Sequence, residues 1–289
     1  MASISMTLEN KKILILGAHG MLGQVLGEIF SDCHPLLWGR GDLDITNKEE
    51  VEEKIVSVAP DIIINAAAYT NVDGAEEEED LALRVNGDAA GYIAQVAKKA
   101  DSLLVYISTD YVFNGSRVEG YDENERDFFP LNVYGESKLA GEQNIEEILD
   151  HYYIIRTSWL YGPGGKNFVT TMLQLANERD SLKVVNDQIG RPTFTRDLGK
   201  GIRSLLEDTP EYGIYHLTNS VPEGGGISWY DFAHEIFEIG GKEIEISPCS
   251  SEEFPRPAKR PHYSILLNTK RPELRDWRLG LQDYLSELL

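Results

Sequence analysis

The amino-acid sequence predicts an α/β fold, a doubly wound parallel sheet with a smaller C-terminal lobe. Runs of four to six apolar residues alternate with helix-periodic segments through the first half of the 289-residue chain. Such strands, separated by helices, form parallel βαβ units with right-handed crossovers. After about residue 160 the alternation becomes irregular. We therefore expect residues 1–160 to form mainly the sheet domain and residues 161–289 mainly the lobe, interleaved with late sheet elements.

The elements of the first half follow one another regularly. Strands are predicted at Ile13–Leu16, at a run ending in Leu36–Trp38, and at Ile62–Asn65, Leu103–Ile107 and Tyr153–Ile155. Helices are predicted near residues 20–30, over Ala82–Ala100 and from Asn132 to about Leu149. The second half contains shorter elements between turns rich in glycine and proline, such as Gly162–Gly165 and Pro255–Pro257.

Composition and charge narrow the class of protein. With 42% hydrophobic and 26% charged residues, the chain is typical of a soluble globular protein. Its net charge of −21 argues against nucleic acid or an anionic membrane as the main partner. Cys33 and Cys249 lie far apart, which disfavours a disulfide framework or a zinc site. The apolar runs are too short for a signal peptide or a membrane span, so we expect a cytoplasmic protein.

A glycine-rich turn follows the first strand and is a candidate cofactor site. It reads Gly17-Ala18-His19-Gly20-Met21-Leu22-Gly23, a GxxGxxG pattern. Glycines at such a turn let backbone N–H groups approach a pyrophosphate at the positive end of the next helix. The spacing differs from the usual GxGxxG, and the turn can also be purely structural. Its position after an N-terminal buried strand favours dinucleotide binding by this Rossmann-type segment.

The end of the second strand carries a cation instead of an acid. Arg40 lies between Gly39 and Gly41, where it can pair with a 2′-phosphate, which favours NADPH while leaving NADH possible. The alternative is a solvated arginine in a turn. Further on, Asp44 and Ile45 are placed to flank the adenine. The third strand closes with small residues that let the backbone lie against the cofactor, namely Ala66, Ala67 and Ala68.

Three residues are candidates for the chemistry. Thr109 follows the fourth strand, at the sheet edge where ligands bind in such folds. Tyr134 and Lys138 are four residues apart on the next helix and therefore project from one face. A nearby ammonium stabilises a phenolate and lowers its pKa toward neutrality. The lysine can also hold the nicotinamide ribose, and the threonine hydroxyl can bind the substrate oxygen.

These motifs together resemble the extended short-chain dehydrogenase/reductases and, more narrowly, the dTDP-4-dehydrorhamnose reductases. The resemblance covers nearly the whole chain and rests on an ordered set, GAHGMLG, NAAAYTNVDGAE, STDYVF, NVYGESKLAGE, RTSWLYG, NFVTTML, NDQIGRPT and RPAKRPHYS. It implies that NADPH reduces the C4 ketone of a dTDP-sugar. Tyr134 then corresponds to the proton donor, Lys138 to the residue that tunes it, and Thr109 to the residue that orients the carbonyl.

The resemblance also implies residues that bind the nucleotide-sugar. Those expected near the sugar are Val72, Asp110, Tyr111 and Trp159. Those expected around the nucleotide are Asn167, Gln188, Arg191 and Arg260, although the two arginines can also be surface residues. For two residues, the sequence does not decide between a structural function and contact with the ligand. Asn86 is either a helix-surface amide or part of the site, and Arg156 is either in an ion pair or in contact with ligand.

Other functions have less support. The acidic run Glu76–Asp80 is better explained as a helix start than as a metal site, so no divalent metal is predicted. A nucleotide-sugar 4,6-dehydratase would place an Asp-Glu pair after the threonine, where this chain has Asp110 and Tyr111. A nucleotide-sugar epimerase is a further enzymatic alternative. A non-catalytic subunit, like the beta subunit of methionine adenosyltransferase, remains an alternative from another class. The chain is expected to be a monomer or a homodimer.

Overall fold

The computed structural model of the protein describes residues 7–222 and 225–289. Its strands are β1 Ile13–Leu16, β2 Leu36–Trp38, β3 Ile62–Asn65, β4 Leu103–Thr109, β5 Tyr152–Thr157, β6 Leu160–Tyr161, β7 Ser181–Val185, β8 Ile189–Gly190, β9 Thr193–Phe194, β10 Gly213–His216, β11 Asn219–Ser220, β12 Ile227–Ser228, β13 Glu245–Cys249 and β14 Leu274–Asp276.

Its α-helices alternate with these strands. They are α1 Met21–Ile29, α2 Lys48–Val58, α3 Val72–Ala75, α4 Glu79–Ala82, α5 Ala89–Ala100, α6 Val133–Ile148, α7 Phe168–Glu178, α8 Thr195–Asp208, α9 Trp229–Ile239 and α10 Trp277–Leu288. Short 3₁₀ turns cover Ser31–Cys33 and Asp110–Val112, and a π-helical turn covers Leu83–Asp88.

The main sheet has six strands in the order β10-β5-β4-β3-β1-β2, and all of its pairings are parallel. The predicted doubly wound parallel sheet is therefore confirmed. β1 and β3 consist of apolar runs that are buried along their whole length, as expected for strands covered by helices on both faces. β4 continues two residues beyond its predicted end, to Thr109. The strand order reverses between β1 and β3, which leaves a crevice at their carboxyl ends.

Helices cover both faces of this sheet. On one face, side chains of α1 and α8 such as Leu26 and Ile202 pack on β1, β3 and β5. On the other face, α2, α5 and α6 contribute side chains such as Ile55, Ile93 and Ile145. Each helix buries one apolar stripe of its surface in this way. Helices α2 and α8 were not among the elements predicted from the sequence.

The helix predicted over Ala82–Ala100 is interrupted by the π-helical turn Leu83–Asp88. This turn buries Asn86, whose amide donates to the carbonyl oxygen of Tyr69 at 3.0 Å and to Ser137 Oγ at 2.9 Å. The Asn86 oxygen accepts from the Tyr69 N–H at 2.9 Å. Asn86 is thus not a helix-surface amide. It joins the loop after β3 to helix α6, and both segments belong to the candidate site described below.

The second half of the chain forms a third hydrophobic cluster among α7, α9 and α10, including Val169, Phe232 and Trp277. Four two-stranded pairings surround it, β6 with β9, β7 with β13, β8 with β12 and β11 with β14. β10, in contrast, returns to the main sheet beside β5. Among the residues described, no helix combines the length and apolar character needed to cross a bilayer.

The close approach of α1 to the turn after β1 generates a stability prediction. A Cβ atom on Gly23 would lie 2.1 Å from the Gly17 carbonyl oxygen, and backbone cannot move aside as a flexible side chain can. We expect Gly23→Ala to lower the free energy of unfolding by about 1–3 kcal/mol in urea denaturation. Gly41→Ala, where a Cβ meets nothing within 4 Å, is the matched control. Equal stability of the two variants would contradict this packing constraint.

Candidate active site

A cleft of 410 Å³ opens at the carboxyl ends of β1 and β3, where the strand order reverses. Its walls include Trp38, Leu43, Tyr69 and Val85. Most of the predicted cofactor residues line it, namely Gly17, His19, Gly20, Arg40, Asp44, Ile45, Ala66, Ala67 and Ala68. Segments distant in sequence therefore meet at one crevice of the kind that binds dinucleotides.

The glycine turn is shaped for close backbone approach. Gly17 has a φ of +74°, and a Cβ there would lie 2.5 Å from the Ala67 nitrogen. Helix α1 begins at Met21 without a side-chain cap, so its first N–H groups stay available to an anion. Leu22 instead points into the core, and Gly23 packs against Gly17. A side chain at Gly17 would clash with the Ala67 backbone, so glycine keeps this turn against the end of β3. The turn and the first N–H groups of α1 fit the pyrophosphate of a dinucleotide.

The turn after β2 contains an acid that the sequence analysis missed. Arg40 is exposed at the cleft, as predicted, but Asp42 folds back and its carboxylate accepts from the Gly39 N–H at 2.8 Å. Asp42 Oδ2 also lies 3.9 Å from His19 Nε2. Asp44 accepts from the backbone and hydroxyl of Thr46, and these hydrogen bonds lower the pKa of its carboxyl. A cation and an acid therefore both flank the expected ribose position.

Thr109, Tyr134 and Lys138 converge at the carboxyl end of β4. The side chain of Asn132 caps α6 by accepting from the Gly135 N–H at 2.8 Å, which sets the start of the helix that carries Tyr134. The Thr109 side chain lies near enough to the Tyr134 phenol to oppose part of the rise in its pKa. The Thr109 hydroxyl donates to Asp110 Oδ1 at 2.9 Å. The ring of Tyr111 lies edge-on to that of Tyr134, with centroids 5.9 Å apart.

Burial dominates the ionisation of this site. It raises the pKa of Tyr134 to about 12, and the nearby Thr109 side chain offsets only part of that effect. It also lowers the pKa of Lys138 to about 7 and raises that of the Asp110 carboxyl to about 7. The lowering of the Tyr134 pKa that the Tyr–Lys spacing predicted is thus reversed, because both groups are removed from water. A neutral phenol at Tyr134 is the form that can donate a proton.

Lys138 has a buried side chain whose ammonium has no hydrogen-bond partner among the described residues. Its nitrogen lies 3.9 Å from the centroid of the Tyr106 ring, a contact that the sequence analysis did not predict. A buried polar group without a partner carries a free-energy cost of a few kcal/mol, about 1–3 or more. Such a group is a natural ligand for hydroxyls of a bound cofactor, which fits the predicted contact with the nicotinamide ribose.

The predicted sugar residues are dispersed around this centre. Val72 begins helix α3, and Trp159, which has a φ of +49°, directly precedes β6. The indole of Trp159 stacks face to face on Trp229, with centroids 3.4 Å apart. Trp229 was not predicted, because its sequence neighbourhood shows only a helix start.

The residues expected around the nucleotide have internal partners. Asn167 caps α7, and its amide donates to the carbonyl oxygen of Gly162 and to the Tyr284 hydroxyl, both at 2.9 Å. Gln188 donates to Ser251 Oγ at 2.8 Å. Arg191 is fully buried and pairs with Glu273 at 2.7 Å. Arg260 pairs with Asp73 at 2.9 Å and remains partly exposed. Of the two arginines in this set, Arg260 is the one whose side chain is partly accessible to solvent.

Arg156, which sequence alone left open, forms a fully buried ion pair with Glu142. Its Nη2 and Nε atoms donate to the two carboxylate oxygens at 2.6 and 2.9 Å. Glu142 was missed as a functional candidate, although its position four residues after Lys138 places it on the same helix face.

The acidic run Glu76–Asp80 leads into helix α4, and its side chains have structural functions there. Glu76 accepts from the Val133 N–H at 2.9 Å, and Glu78 accepts from the Tyr69 hydroxyl at 2.6 Å. Glu79 and Asp80 lie in the first turn of α4, where acids complement the helix dipole. Within residues 7–222 and 225–289, no group of three metal-ligating side chains is suitably placed to hold an ion.

Known proteins are similar to this chain in sequence. The family model described as "RmlD substrate binding domain" matches residues 11–289. The spore coat polysaccharide biosynthesis protein SpsK of Bacillus subtilis is 40% identical over 96% of this chain and 97% of its own length. The dTDP-4-dehydrorhamnose reductase of Streptomyces griseus is 40% identical over 93% of this chain and 91% of its own.

A solved structure agrees with these relatives. The dTDP-4-dehydrorhamnose reductase of Bacillus anthracis, crystallised in complex with NADP, is 42% identical and superposes with a TM-score of 0.91. The match covers 96% of this chain and 99% of that one. On the strength of the full-length family match and these relatives, the chain belongs to the dTDP-4-dehydrorhamnose reductase family.

Proposed function

We propose that this protein reduces the C4 ketone of dTDP-4-dehydro-L-rhamnose to dTDP-L-rhamnose with NADPH. The observation that carries the proposal is the convergence of Thr109, Tyr134 and Lys138 at the carboxyl end of β4, the strand next to β3, whose own end borders the dinucleotide-type cleft. The names of its relatives and the NADP-bound neighbour support the same activity. A non-catalytic subunit would have no need of this trio.

The proposed mechanism assigns one task to each residue. NADPH supplies the hydride that C4 of the sugar accepts. Tyr134 donates a proton to the C4 oxygen, since burial keeps its phenol neutral. Thr109 would donate a hydrogen bond to the same oxygen in place of its hydrogen bond to Asp110 Oδ1. Lys138 is placed to hold the nicotinamide ribose through its otherwise unpartnered ammonium.

Further proposals follow from the surroundings. Residues 161–289 mainly supply the sugar-nucleotide lobe, with Trp159, Arg260 and the α3 start at Val72 facing the substrate. Asp110 and Tyr111 would contact the sugar from the strand end. We infer a cytoplasmic enzyme that acts as a monomer or homodimer without nucleic acid partners, which the net charge of −21 and two unpaired buried cysteines support.

The activity can be tested together with its proton donor. We expect the protein to oxidise NADPH when dTDP-4-dehydrorhamnose is added, and Tyr134→Phe to reduce kcat by roughly 10²–10⁴-fold. NADPH affinity, measured by fluorescence titration, should be retained. The exposed Tyr212→Phe is the matched control and should keep full activity. Absence of turnover by the wild-type protein, beside an active reference reductase, would refute the proposed reaction.

Cofactor choice can be tested at Arg40. We expect Arg40→Ala to raise KM for NADPH more than KM for NADH, because an arginine pairs with the 2′-phosphate that NADH lacks. The ratio of kcat/KM values for the two cofactors measures this directly. The nearby Asp42 carboxylate, which repels a phosphate, should keep NADH usable in the wild type. Equal changes in KM for both cofactors would show that Arg40 does not pair with the 2′-phosphate.

Burial of Lys138 predicts a pH-dependent cost in stability. Its pKa falls from an ordinary value of 10.5 to about 7 in the folded protein. The cost is complete below pH 7 and disappears as pH rises toward 10.5, where the unfolded chain also loses the proton. Lys138→Met should therefore raise the melting temperature of the cofactor-free protein, by roughly 5 °C or more at pH 6.5.

The same substitution should raise the melting temperature much less at pH 10. The exposed Lys166→Met provides the control and should show a small difference at both pH values. If Lys138→Met changes the melting temperature by the same amount at both pH values, the lysine does not carry a buried charge below pH 7.

A further inference from the structure

A third residue shares the catalytic face of helix α6. Tyr134, Lys138 and Glu142 follow one another at intervals of four residues, so they lie along one side of the helix. Glu142 is completely buried, at 0% exposure. An acid at such depth needs hydrogen bonds to stay ionised, and its partners show which segments it connects.

Three hydrogen bonds attach Glu142 to the main sheet. Ser108 Oγ donates to Oε1 at 2.5 Å, while Arg156 Nε and Nη2 donate to Oε1 and Oε2 at 2.9 and 2.6 Å. Ser108 and Arg156 are register partners on the adjacent strands β4 and β5. Ser108 directly precedes Thr109. Glu142 therefore fixes the helix that carries Tyr134 and Lys138 against the strand end that carries Thr109.

Glu142 also acts on the charge of Lys138. Burial disfavours the ammonium, and the negative charge of Glu142 opposes that effect by raising the Lys138 pKa. The other ionisable groups near this helix face include Tyr134 itself, Asp110 and Tyr111 beside it, Tyr106 on β4, and Tyr152 and Arg156 on β5. The phenols of Tyr106 and Tyr134 are neutral near pH 7, since burial raises both of their pKa values. Burial raises the pKa of the Asp110 carboxyl to about 7. Arg156 is held in its ion pair with the Glu142 carboxylate.

We propose that Glu142 is a positioning residue of the reductase, which holds α6, and with it Tyr134 and Lys138, in register with Thr109. This inference rests on the proposed function for its turnover measurements. A purely structural ion pair would be replaceable, since apolar residues of similar volume often substitute for buried pairs without loss of stability. The Glu142→Leu/Arg156→Met double variant distinguishes a positioning residue from a purely structural ion pair, because it removes both charges and leaves no buried charge without a partner.

The double variant should fold with wild-type thermal stability or better, yet lower kcat by roughly 10- to 100-fold through misplacement of the catalytic groups. The decline of kcat/KM on the basic side should move to lower pH by roughly one unit, because Lys138 loses its anionic neighbour. NADPH should bind roughly tenfold more weakly, since a less charged Lys138 is a poorer donor. Glu146→Leu, one turn later and exposed, should change none of these quantities.

A stable double variant with wild-type kcat, pH profile and NADPH affinity would overturn the proposal. If the wild type fails to reduce the sugar, the proposed function falls, and the NADPH titration still decides this inference. If the double variant does not fold, Ser108→Ala replaces it, because that change removes one hydrogen bond and leaves the ion pair intact. Ser108→Ala should then lower kcat by roughly three- to tenfold at unchanged stability, and unchanged kcat would overturn the proposal.

Discussion

Parallel pairing of β1, β3 and β4 is the constraint on which the rest of this structure depends. Because these strands run in one direction, everything that follows their carboxyl ends meets at a single sheet edge. The glycine turn, the alanines after β3 and Thr109 thereby become neighbours, although 92 positions separate Gly17 from Thr109 in the chain. The packing of helix α6 on β4 then brings Tyr134 and Lys138 to the same edge.

That packing is achieved with polar groups in the interior. Glu142, Arg156 and Ser108 join α6 to two strands, and Asn86 joins α6 to the loop after β3. Each group is buried and hydrogen-bonded, as interior polar groups must be. The same dry surroundings raise the pKa of Tyr134 and lower that of Lys138. Burial therefore keeps the Tyr134 phenol neutral near pH 7 and partly neutralises Lys138.

Several features followed from local sequence, and others did not. The strands, the glycine turn and the Tyr134–Lys138 spacing were predictable, because each depends on residues within a few positions of one another. The direction of the Tyr134 pKa shift was predicted wrongly, since burial outweighs a neighbouring charge and burial is a property of the whole fold. Asp42 was overlooked although it lies only three positions after Gly39, because the prediction considered an acid only at the end of the strand itself. Arg191 has internal partners that sequence could not name.

The sequence by itself determined the parallel sheet, the dinucleotide-type turn and the family, because apolar periodicity and short motifs are encoded in neighbouring residues. Only the tertiary structure decided what each polar side chain faces. Arg191 meets Glu273 across 82 positions, and Arg260 meets Asp73 across 187. Such contacts depend on how separate segments pack. Together with burial, ion pairs of this kind determine which side chains are charged. The physical reason is that desolvation and ion pairing act through space, whereas sequence patterns act along the chain.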